Sequence, residues 1–303
     1  MTSTDIVVGY DAGHESDLAL DWAIAQAKQG DGALKILHVG TPAVSPGFAI
    51  GGTIGWETWD PPQDRPVELP GVDRAKAELG DDRVSVDLSI GSPAGRLVDA
   101  SKDAALVVVG SRGRGYFLSG LLGSTAYAVA AHASCPVAVV RAPDDAERAP
   151  RPGPDKPVVV GVDEAEGHRA VLDAAVSAAL EARATLVLVR VSPAPPVTEY
   201  AFMVGSTTQI DDDIVKADEE MLRRVADELI ERNPGLKTKV VHEVGVPGHA
   251  LAAYGDEAGL IVVGSRGRGG FAGLLLGSTS RTAIHLAGCP VLVLHEAPRG
   301  PSD

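Results

Sequence analysis

Cysteine and aromatic residues are scarce in this chain of 303 residues. Only two cysteines are present, Cys135 and Cys289, and aromatic side chains make up 4% of the sequence. A disulfide-stapled scaffold needs several cysteines and a C-x-x-C zinc or redox site needs paired ones, so neither class of protein finds support. Each cysteine begins a "CPV" triplet ahead of an apolar run, which favours two buried thiols in a reducing compartment.

Long apolar runs and an excess of positive charge are also missing. No stretch approaches the roughly 20 apolar residues of a membrane-spanning helix, and the amino terminus "MTSTDIVVGYDAG" has no basic segment of a secretory signal. The 27 basic and 41 acidic side chains give a net charge of −14, which repels nucleic acid and anionic lipid. We therefore expect a soluble cytoplasmic protein whose partners include neither nucleic acid nor membrane.

What the chain does contain is one segment present twice. The stretch "VVVGSRGRGYFLSGLLGST" at 107–125 returns as "IVVGSRGRGGFAGLLLGST" at 261–279, an offset of 154 residues. Of the 14 positions from Gly110 to Gly123, ten are identical to their partners. The repeat extends over nearly the whole chain and predicts two domains of the same fold.

A linker is expected between the two copies. The intervening sequence "APDDAERAPRPGPDK" is rich in proline and charge and cannot form a core. We predict a first domain at residues 1–142, a linker at 143–156 and a second domain at 157–297.

Within each copy, short apolar runs alternate with amphipathic stretches at helical spacing. Runs such as "IVVGY", "LKILHV" and "ALVVVG" are apolar throughout, as expected for parallel strands that helices cover on both faces. Each copy is therefore predicted to be an α/β domain of about five strands. In the middle, the first copy has a glycine- and proline-rich insert with Trp56 and Trp59, whereas the second has a shorter loop and a full helix. The insert fits a lid or a partner-binding patch as well as it fits a packed loop.

The glycine segment lies between a strand and a helix, where open parallel sheets bind ligands. Gly110, Gly113 and Gly123 let the backbone approach a ligand closely, while Ser124 and Thr125 fall at a helix start, where free N–H groups favour phosphate. The alternative is a glycine-rich turn with Ser124 as a simple cap. The spacing G-x2-G-x9-G is neither a Walker A loop, since no lysine follows the last glycine, nor the dinucleotide fingerprint.

With an early "VVGxD" and a closing "CPVxVV", this pattern resembles the ATP-binding branch of the universal stress protein family, in the tandem form found in mycobacteria and related actinobacteria. The resemblance covers nearly all residues except the linker, the insert and the tail. It implies two tandem Rossmann-like domains of the adenine nucleotide alpha hydrolase type, each with a five-stranded parallel sheet of order 3-2-1-4-5. It also implies ATP, with or without Mg²⁺, across the first and fourth strands.

The resemblance further implies which residues contact the nucleotide. An aspartate lies at the adenosine end, a valine backbone contacts adenine, glycines surround the ribose and phosphates, and hydroxyl groups hold the β- and γ-phosphates. The implied residues are Asp11, Val39, Val109, Gly110, Gly113, Gly123, Ser124 and Thr125 in the first copy, and Asp163, Val191, Val263, Gly264, Gly267, Gly277, Ser278 and Thr279 in the second.

Two features depart from the family pattern. The first strand usually leads into "DGS" but here leads into "DAGHES" and "DEAEGH". Tyr116 also occupies the position of Gly270, which would narrow the first site.

Other candidate groups favour ordinary structural roles. The eight histidines show no metal-ligand spacing, and His14 with Glu15 fits a solvated turn better than a metal site. The acidic run 211–213 fits the start of a helix. No metal site and no catalytic residue are assigned. Four arginines beside the glycines fit surface positions and phosphate contacts equally well: Arg112, Arg114, Arg266 and Arg268.

Three functions follow from this pattern. The favoured one is a regulator of stress response or growth arrest, in which ATP sets the conformation or the choice of protein partner, with little or no turnover. An adenylyl-transferring or slowly ATP-hydrolysing enzyme is the alternative, although no lysine lies beside the glycines to stabilise developing charge. A scaffold with an empty site is the third. The apolar runs "PVAVVR" and "PVLVLH" are expected to pair the two domains, and a homodimer of the chain is expected.

Overall fold

The computed structural model describes residues 4–40, 69–113, 122–143, 146–163, 169–193, 212–266 and 276–295. Strands and helices alternate in both halves, as the apolar runs predict. The first half contains β1 (Ile6–Gly9), α1 (His14–Ala27), β2 (Leu34–Gly40), α2 (Pro70–Leu79), β3 (Val84–Ile90), α3 (Pro93–Ala100), β4 (Leu106–Gly110), α4 (Ser124–His132) and β5 (Val137–Val140). The second half contains β6 (Val158–Gly161), α5 (Arg169–Glu181), β7 (Thr185–Ser192), α6 (Asp212–Arg232), β8 (Lys237–Val244), α7 (Pro247–Ala253), β9 (Leu260–Gly264), α8 (Ser278–Leu286) and β10 (Val291–Leu294).

The ten strands form one continuous sheet in the order β3-β2-β1-β4-β5-β10-β9-β6-β7-β8. Within each half the neighbouring strands are parallel and follow the order 3-2-1-4-5, which confirms the predicted fold. The halves meet where β5 and β10 pair antiparallel, with Val139 opposite Val291 and Val137 opposite Val293. This pairing of the closing strands is the predicted one, and it removes two apolar sheet edges from solvent.

The strands are apolar throughout because both faces of the sheet are covered. Successive residues of a strand point to opposite faces, so Val108 belongs to one buried cluster with α1 and α5, while Val107 and Val109 belong to another with α4 and α8. Both cysteines are free and buried, as predicted. Burial raises the pKa of Cys135 to about 11 and that of Cys289 to about 12, so both thiols stay protonated near neutral pH.

The two halves differ most in the helix that precedes their edge strands. Helix α2 has 10 residues and was not predicted, although Pro70 at its first turn and the spacing of Val72, Ala75 and Leu79 indicate it. Its counterpart α6 has 21 residues and was predicted.

The second half of β3 is exposed to solvent. Leu88 and Ile90, in the second half of this strand, are each 58% exposed. The insert with Trp56 and Trp59 lies outside the described residues, as does Asp211.

Candidate nucleotide site

A cavity of about 240 Å³ opens at the carboxyl ends of β1 and β4, where the strand order reverses. Reversals of this kind leave a crevice between neighbouring loops, and ligands of open α/β sheets bind there. The cavity is lined by all eight residues that were implied for the first copy: Asp11, Val39, Val109, Gly110, Gly113, Gly123, Ser124 and Thr125. The structure therefore brings these residues together in one place.

The glycine segment ends in a helix start that borders this cavity. The Gly123 N–H donates to the Ser111 carbonyl at 2.8 Å, which brings the two ends of the glycine segment together. Gly123 is then the N-cap residue of α4 and, as a glycine, has no side chain to cap the first turn of this helix. Ser124 is thus the first helical residue rather than its cap, and its hydroxyl and the first-turn N–H groups remain available for a ligand.

The glycines are needed for close packing and not for unusual dihedral angles. Gly123 has φ −66° and Gly277 has φ −72°, which any residue can adopt. A side chain at Gly110 would place its Cβ 2.7 Å from the Glu15 carbonyl oxygen. A Cβ at Gly123 would lie 3.3 Å from the Ser111 carbonyl oxygen.

The loop after β1 holds Asp11 by local hydrogen bonds. The Gly13 N–H donates to Asp11 Oδ1 at 2.9 Å, and Ser16 Oγ accepts from the Gly13 N–H at 3.0 Å. Ala12, between them, has φ 56°, in the left-handed region. This is where the family pattern has its glycine, so the departure at "DAG" places an alanine in a strained conformation.

Tyr10 also lines the cavity, and hydrogen bonds hold its side chain in place. Its hydroxyl donates to Asp17 Oδ1 at 2.9 Å and accepts from the Gly71 N–H at 3.2 Å, which ties the end of β1 to both α1 and α2. Burial, together with the bond to Asp17, raises the pKa of Tyr10 to about 12. The phenol therefore stays neutral and adds no negative charge to the cavity.

Glu15 joins helix α1 to the glycine segment. Its carboxylate accepts from Arg112 Nη2 at 2.7 Å and from Ser111 Oγ at 2.9 Å. The side chains of Arg112 and Glu15 are only 16% and 15% exposed. The predicted solvated turn at Glu15 is therefore wrong, because residues 97 positions apart form a mostly buried ion pair that local sequence does not reveal. Arg112 also lines the cavity.

The second half repeats the helix start. The Gly277 N–H donates to the Ser265 carbonyl at 2.7 Å, and Gly277 is the N-cap of α8, which begins at Ser278 and Thr279. Val263 and Gly264 end β9 as Val109 and Gly110 end β4. Gly267 lies outside the described residues, as do Arg114, Tyr116, Arg268 and Gly270.

The end of the second half at which the resemblance implies adenosine differs from that of the first half. Asp163 Oδ1 forms an ion pair with Arg190 Nη1 at 3.1 Å, and Arg190 Nε also contacts Asp218 Oδ1 at 3.2 Å. Arg190 precedes Val191 on β7, at the position that His38 occupies before Val39 on β2. The His38 ring has its Nδ1 2.8 Å from the Tyr10 carbonyl oxygen.

Asp218 is the centre of a buried polar cluster. It is 6% exposed, and it accepts a hydrogen bond from the Ser192 hydroxyl and lies 3.3 Å from His242 Nε2. Sequence reasoning missed this residue. The signal was present, since Asp218 lies on the same face of α6 as Leu222 and Leu229, where an apolar residue is expected.

Among the residues that the structure describes, no cluster of three or more histidine, cysteine, aspartate or glutamate side chains could hold a metal ion. Within the same part of the chain, no helix is long and apolar enough to cross a membrane.

Comparison with known proteins agrees with this architecture. The model of the universal stress protein family matches the chain twice, at residues 3–141 and 155–295. Universal stress protein Rv2005c of Mycobacterium tuberculosis is 32% identical over 296 residues, which cover 96% of this chain and 97% of the relative. Universal stress protein Rv2623 of the same species is 31% identical over 299 residues, 98% of each chain. The chain belongs to the universal stress protein family and has two tandem domains of that family.

Solved structures show the same fold. A universal stress protein from Archaeoglobus fulgidus superposes with a TM-score of 0.62 at 19% identity, covering 98% of this chain and all of the other. A universal stress protein from Pseudomonas aeruginosa gives a TM-score of 0.63 at 17% identity, covering 97% of this chain and 94% of the other.

Proposed function

We propose that this protein binds ATP at two sites, one in each domain, and acts as an ATP-dependent regulator with little or no turnover. The observation that carries the proposal is the cavity between β1 and β4, which combines an uncapped helix start with closely packed glycines. In this proposal, the phosphates lie against the start of α4, at Ser124 and Thr125. The adenosine lies toward Asp11 and Val39, on the far side of the cavity.

The residues around the cavity fit a triphosphate better than a neutral ligand. The first-turn N–H groups of α4 carry partial positive charge, and the N-cap residue Gly123 has no side chain to cap them. Arg112 adds a guanidinium at the wall, although Glu15 already neutralises most of its charge. Backbone donors therefore supply most of the recognition, which explains how a chain of net charge −14 can hold an anion.

The preference for adenine is proposed from Val39 and Val191, whose backbone can read the amino edge of the base. We expect ATP to bind more tightly than GTP in a calorimetric titration. Equal affinities would contradict an adenine slot. Repeating the titration with EDTA shows whether Mg²⁺ accompanies the nucleotide.

Aspartate substitutions at the two helix starts provide a selective test of binding. Ser124 and Ser278 are exposed first-turn residues, where a carboxylate is favourable for the helix but repels phosphate. We expect Ser124→Asp to lose one nucleotide per chain, Ser278→Asp to lose the other, and the double variant to lose both. The Ser124→Asn and Ser278→Asn variants serve as controls, because asparagine has nearly the same shape as aspartate but carries no charge.

The readout is nucleotide content and stoichiometry, measured by chromatography after denaturation and by calorimetry. A folded double aspartate variant that still binds two ATP per chain would rule out the phosphate position. The same samples report turnover, because ADP that accumulates over hours in the wild type but not in the double variant would favour slow hydrolysis over pure binding.

The regulatory role is proposed to operate through association. ATP occupancy would change the affinity for a protein partner or for a second copy of the chain. Light scattering on the wild type and on the double aspartate variant, each with and without ATP, tests the second possibility. A molar mass of one chain under all conditions would contradict a homodimer.

A further inference from the structure

Helix α4 of the first domain is held at both ends by histidines of the second domain. Just before its start, the Leu122 N–H donates to Nδ1 of His285 at 3.3 Å. Near its end, the Ala130 carbonyl lies 2.9 Å from His295 Nε2. His285 is in the last turn of α8, and His295 follows β10. The helix whose start borders the first cavity is thus fixed by the other domain.

His285 is itself fixed in place. Its backbone carbonyl accepts a hydrogen bond from the Arg141 guanidinium of the first domain. Its half-buried ring therefore has a defined position relative to Leu122. The next N–H along the chain, that of Gly123, donates in turn to Ser111 of the first domain. Two successive N–H groups at the entry to α4 are anchored to two different domains.

This anchoring is not reciprocal. At the ends of the helices the contacts do correspond, because Arg141 and His295 occupy equivalent positions and each bonds a carbonyl of the opposite helix. At the helix starts they do not. The position in α4 that is equivalent to His285 is Ala131, whose methyl side chain has no polar atom. The second domain therefore contacts the start of α4 through the His285 side chain. The equivalent residue of the first domain, Ala131, cannot make such a contact with the start of α8.

We propose that His285 is a positioning residue for the nucleotide site of the first domain. The inference rests on the proposed function, because it assumes that phosphates bind at the start of α4. By holding Leu122, the imidazole fixes Gly123 and the first-turn N–H groups in the orientation that meets the ligand. The first site is complete only when the second domain is docked against it, whereas the second site does not depend on a side chain of α4.

The test measures each site alone, in chains where the other is disabled. Ser278→Asp leaves the first site intact, and Ser124→Asp leaves the second. Into each background we introduce His285→Ala, which removes the acceptor, or His285→Asn, whose Oδ1 lies where the ring has Nδ1. His132→Ala is the matched control, since it removes an exposed histidine from the last turn of α4.

In the Ser278→Asp background, we expect His285→Ala to weaken ATP binding about fivefold, as the loss of one hydrogen bond predicts. His285→Asn is expected to stay within about twofold of its parent, as is His132→Ala. In the Ser124→Asp background, all three are expected to leave ATP binding unchanged. Without nucleotide, hydrogen exchange of the Leu122 amide is expected to quicken in His285→Ala but not in His285→Asn.

Three outcomes would overturn the inference. Unchanged first-site affinity in a folded His285→Ala chain would show that the contact does not position the site. An equal loss at both sites, or no rescue by asparagine, would show a general effect on folding or docking. Absence of ATP binding in both parents, with His285 intact, would instead refute the nucleotide site itself and remove the basis of the inference.

Discussion

In the first domain, the residue before Val39 is His38, which contacts the backbone of Tyr10. In the second domain the same position is Arg190, which forms ion pairs with Asp163 and Asp218. The helix starts of the two domains, by contrast, have the same glycine, serine and threonine and the same backbone hydrogen bond. The comparison shows that the two domains share the helix start at which we propose that phosphates bind and differ at the end at which we propose that adenosine binds.

The difference extends into the layer behind each site. In the second domain the long helix α6 places Asp218 against the sheet, where its carboxylate contacts Arg190, Ser192 and His242. In the first domain the corresponding helix α2 begins at Pro70, and the position equivalent to Asp218 lies outside the described residues. At the equivalent strand positions of the first domain, Leu88 lies opposite His38 where His242 lies opposite Arg190, so the described residues there form no such cluster.

The largest effect is expected from Asp218→Ala. Removing this carboxylate leaves Arg190 mostly buried and without one of its ion-pair partners. Breaking a buried ion pair from one side costs about 3–5 kcal/mol. We expect the free energy of unfolding of the second domain to fall by about 3 kcal/mol. Urea denaturation measures the change. Glu78→Ala breaks a half-exposed ion pair with Lys28 in the first domain and is the control, with an expected loss below about 1 kcal/mol.

A loss below about 1 kcal/mol in Asp218→Ala would show that water replaces the missing partner. The cluster would then be unimportant for folding.

A smaller effect is expected on the affinities of the two sites. Because Arg190 occupies one oxygen of Asp163, that carboxylate is a weaker acceptor for a ligand. We expect ATP to bind the second site about fivefold more weakly than the first, a difference of about 1 kcal/mol. Arg190→His, which introduces the residue of the first domain, is expected to narrow this gap. Calorimetry in the Ser124→Asp background measures the second site alone.

Stronger binding at the second site than at the first would contradict this interpretation. A further drop in affinity on Arg190→His would show instead that Arg190 holds Asp163 in its binding position.

The contacts between the domains are expected to differ in their response to pH. His295 bonds the Ala130 carbonyl, and its Nδ1 is buried without a hydrogen-bond partner among the described residues. Burial lowers the pKa of His295 below its ordinary value, so the folded protein holds this ring neutral. Its contribution to stability is complete above a pH of about 6.5, the unfolded pKa, and is lost as the pH falls toward the folded pKa. The equivalent Arg141 keeps its charge throughout this range.

Thermal unfolding at pH values of about 7.5 and 5.5, on either side of the unfolded pKa, measures this effect. We expect a lower midpoint at the lower pH, and a smaller decrease in His295→Gln, which keeps a donor at the ε position but does not titrate. The same decrease in both proteins would assign the pH dependence to other groups.

The smallest effect concerns the loop after β1. Ala12 adopts φ 56°, which costs about 1–2 kcal/mol for an L-residue, while glycine loses slightly more entropy on folding. We expect Ala12→Gly to raise the free energy of unfolding by somewhat less than 1 kcal/mol, about 0.5 kcal/mol. Ala25→Gly, in the interior of α1, is the control and is expected to cost about 1 kcal/mol. A loss of stability in Ala12→Gly would show that the alanine methyl group contributes packing that outweighs its strain.

Much of the site was readable from the chain because its residues fall at the ends of strands. Val109 and Gly110 close an apolar run, and Gly123 to Thr125 open a helix, so their meeting at one edge follows from parallel strands alone. Asp11 follows β1 for the same reason. These features depend on neighbours in sequence. The repeated segment indicated the glycines and the helix start, and the resemblance to the family implied Asp11 and Val109.

The residues that sequence reasoning missed or misjudged all act over long separations in the chain. Glu15 and Arg112, Arg190 and Asp218, and Leu122 and His285 are each brought together only by folding. Helix α2 was missed for another reason, since a short segment behind a proline-rich insert gives a weak periodic signal.

The sequence by itself determined the two domains, the type of most strands and helices, and the glycines and helix start at the first cavity, because hydrophobic periodicity and glycine spacing are local properties. The strand order and the remaining residues of the cavity were implied by the resemblance to the family. Only the tertiary structure decided which charges are neutralised and how the domains meet. Distances across the sheet and across the β5–β10 junction decide these contacts. They bring Arg112 to Glu15, Asp163 to Arg190 and His285 to Leu122. Two domains with nearly identical glycine segments therefore became unequal through contacts that no segment of the chain contains alone.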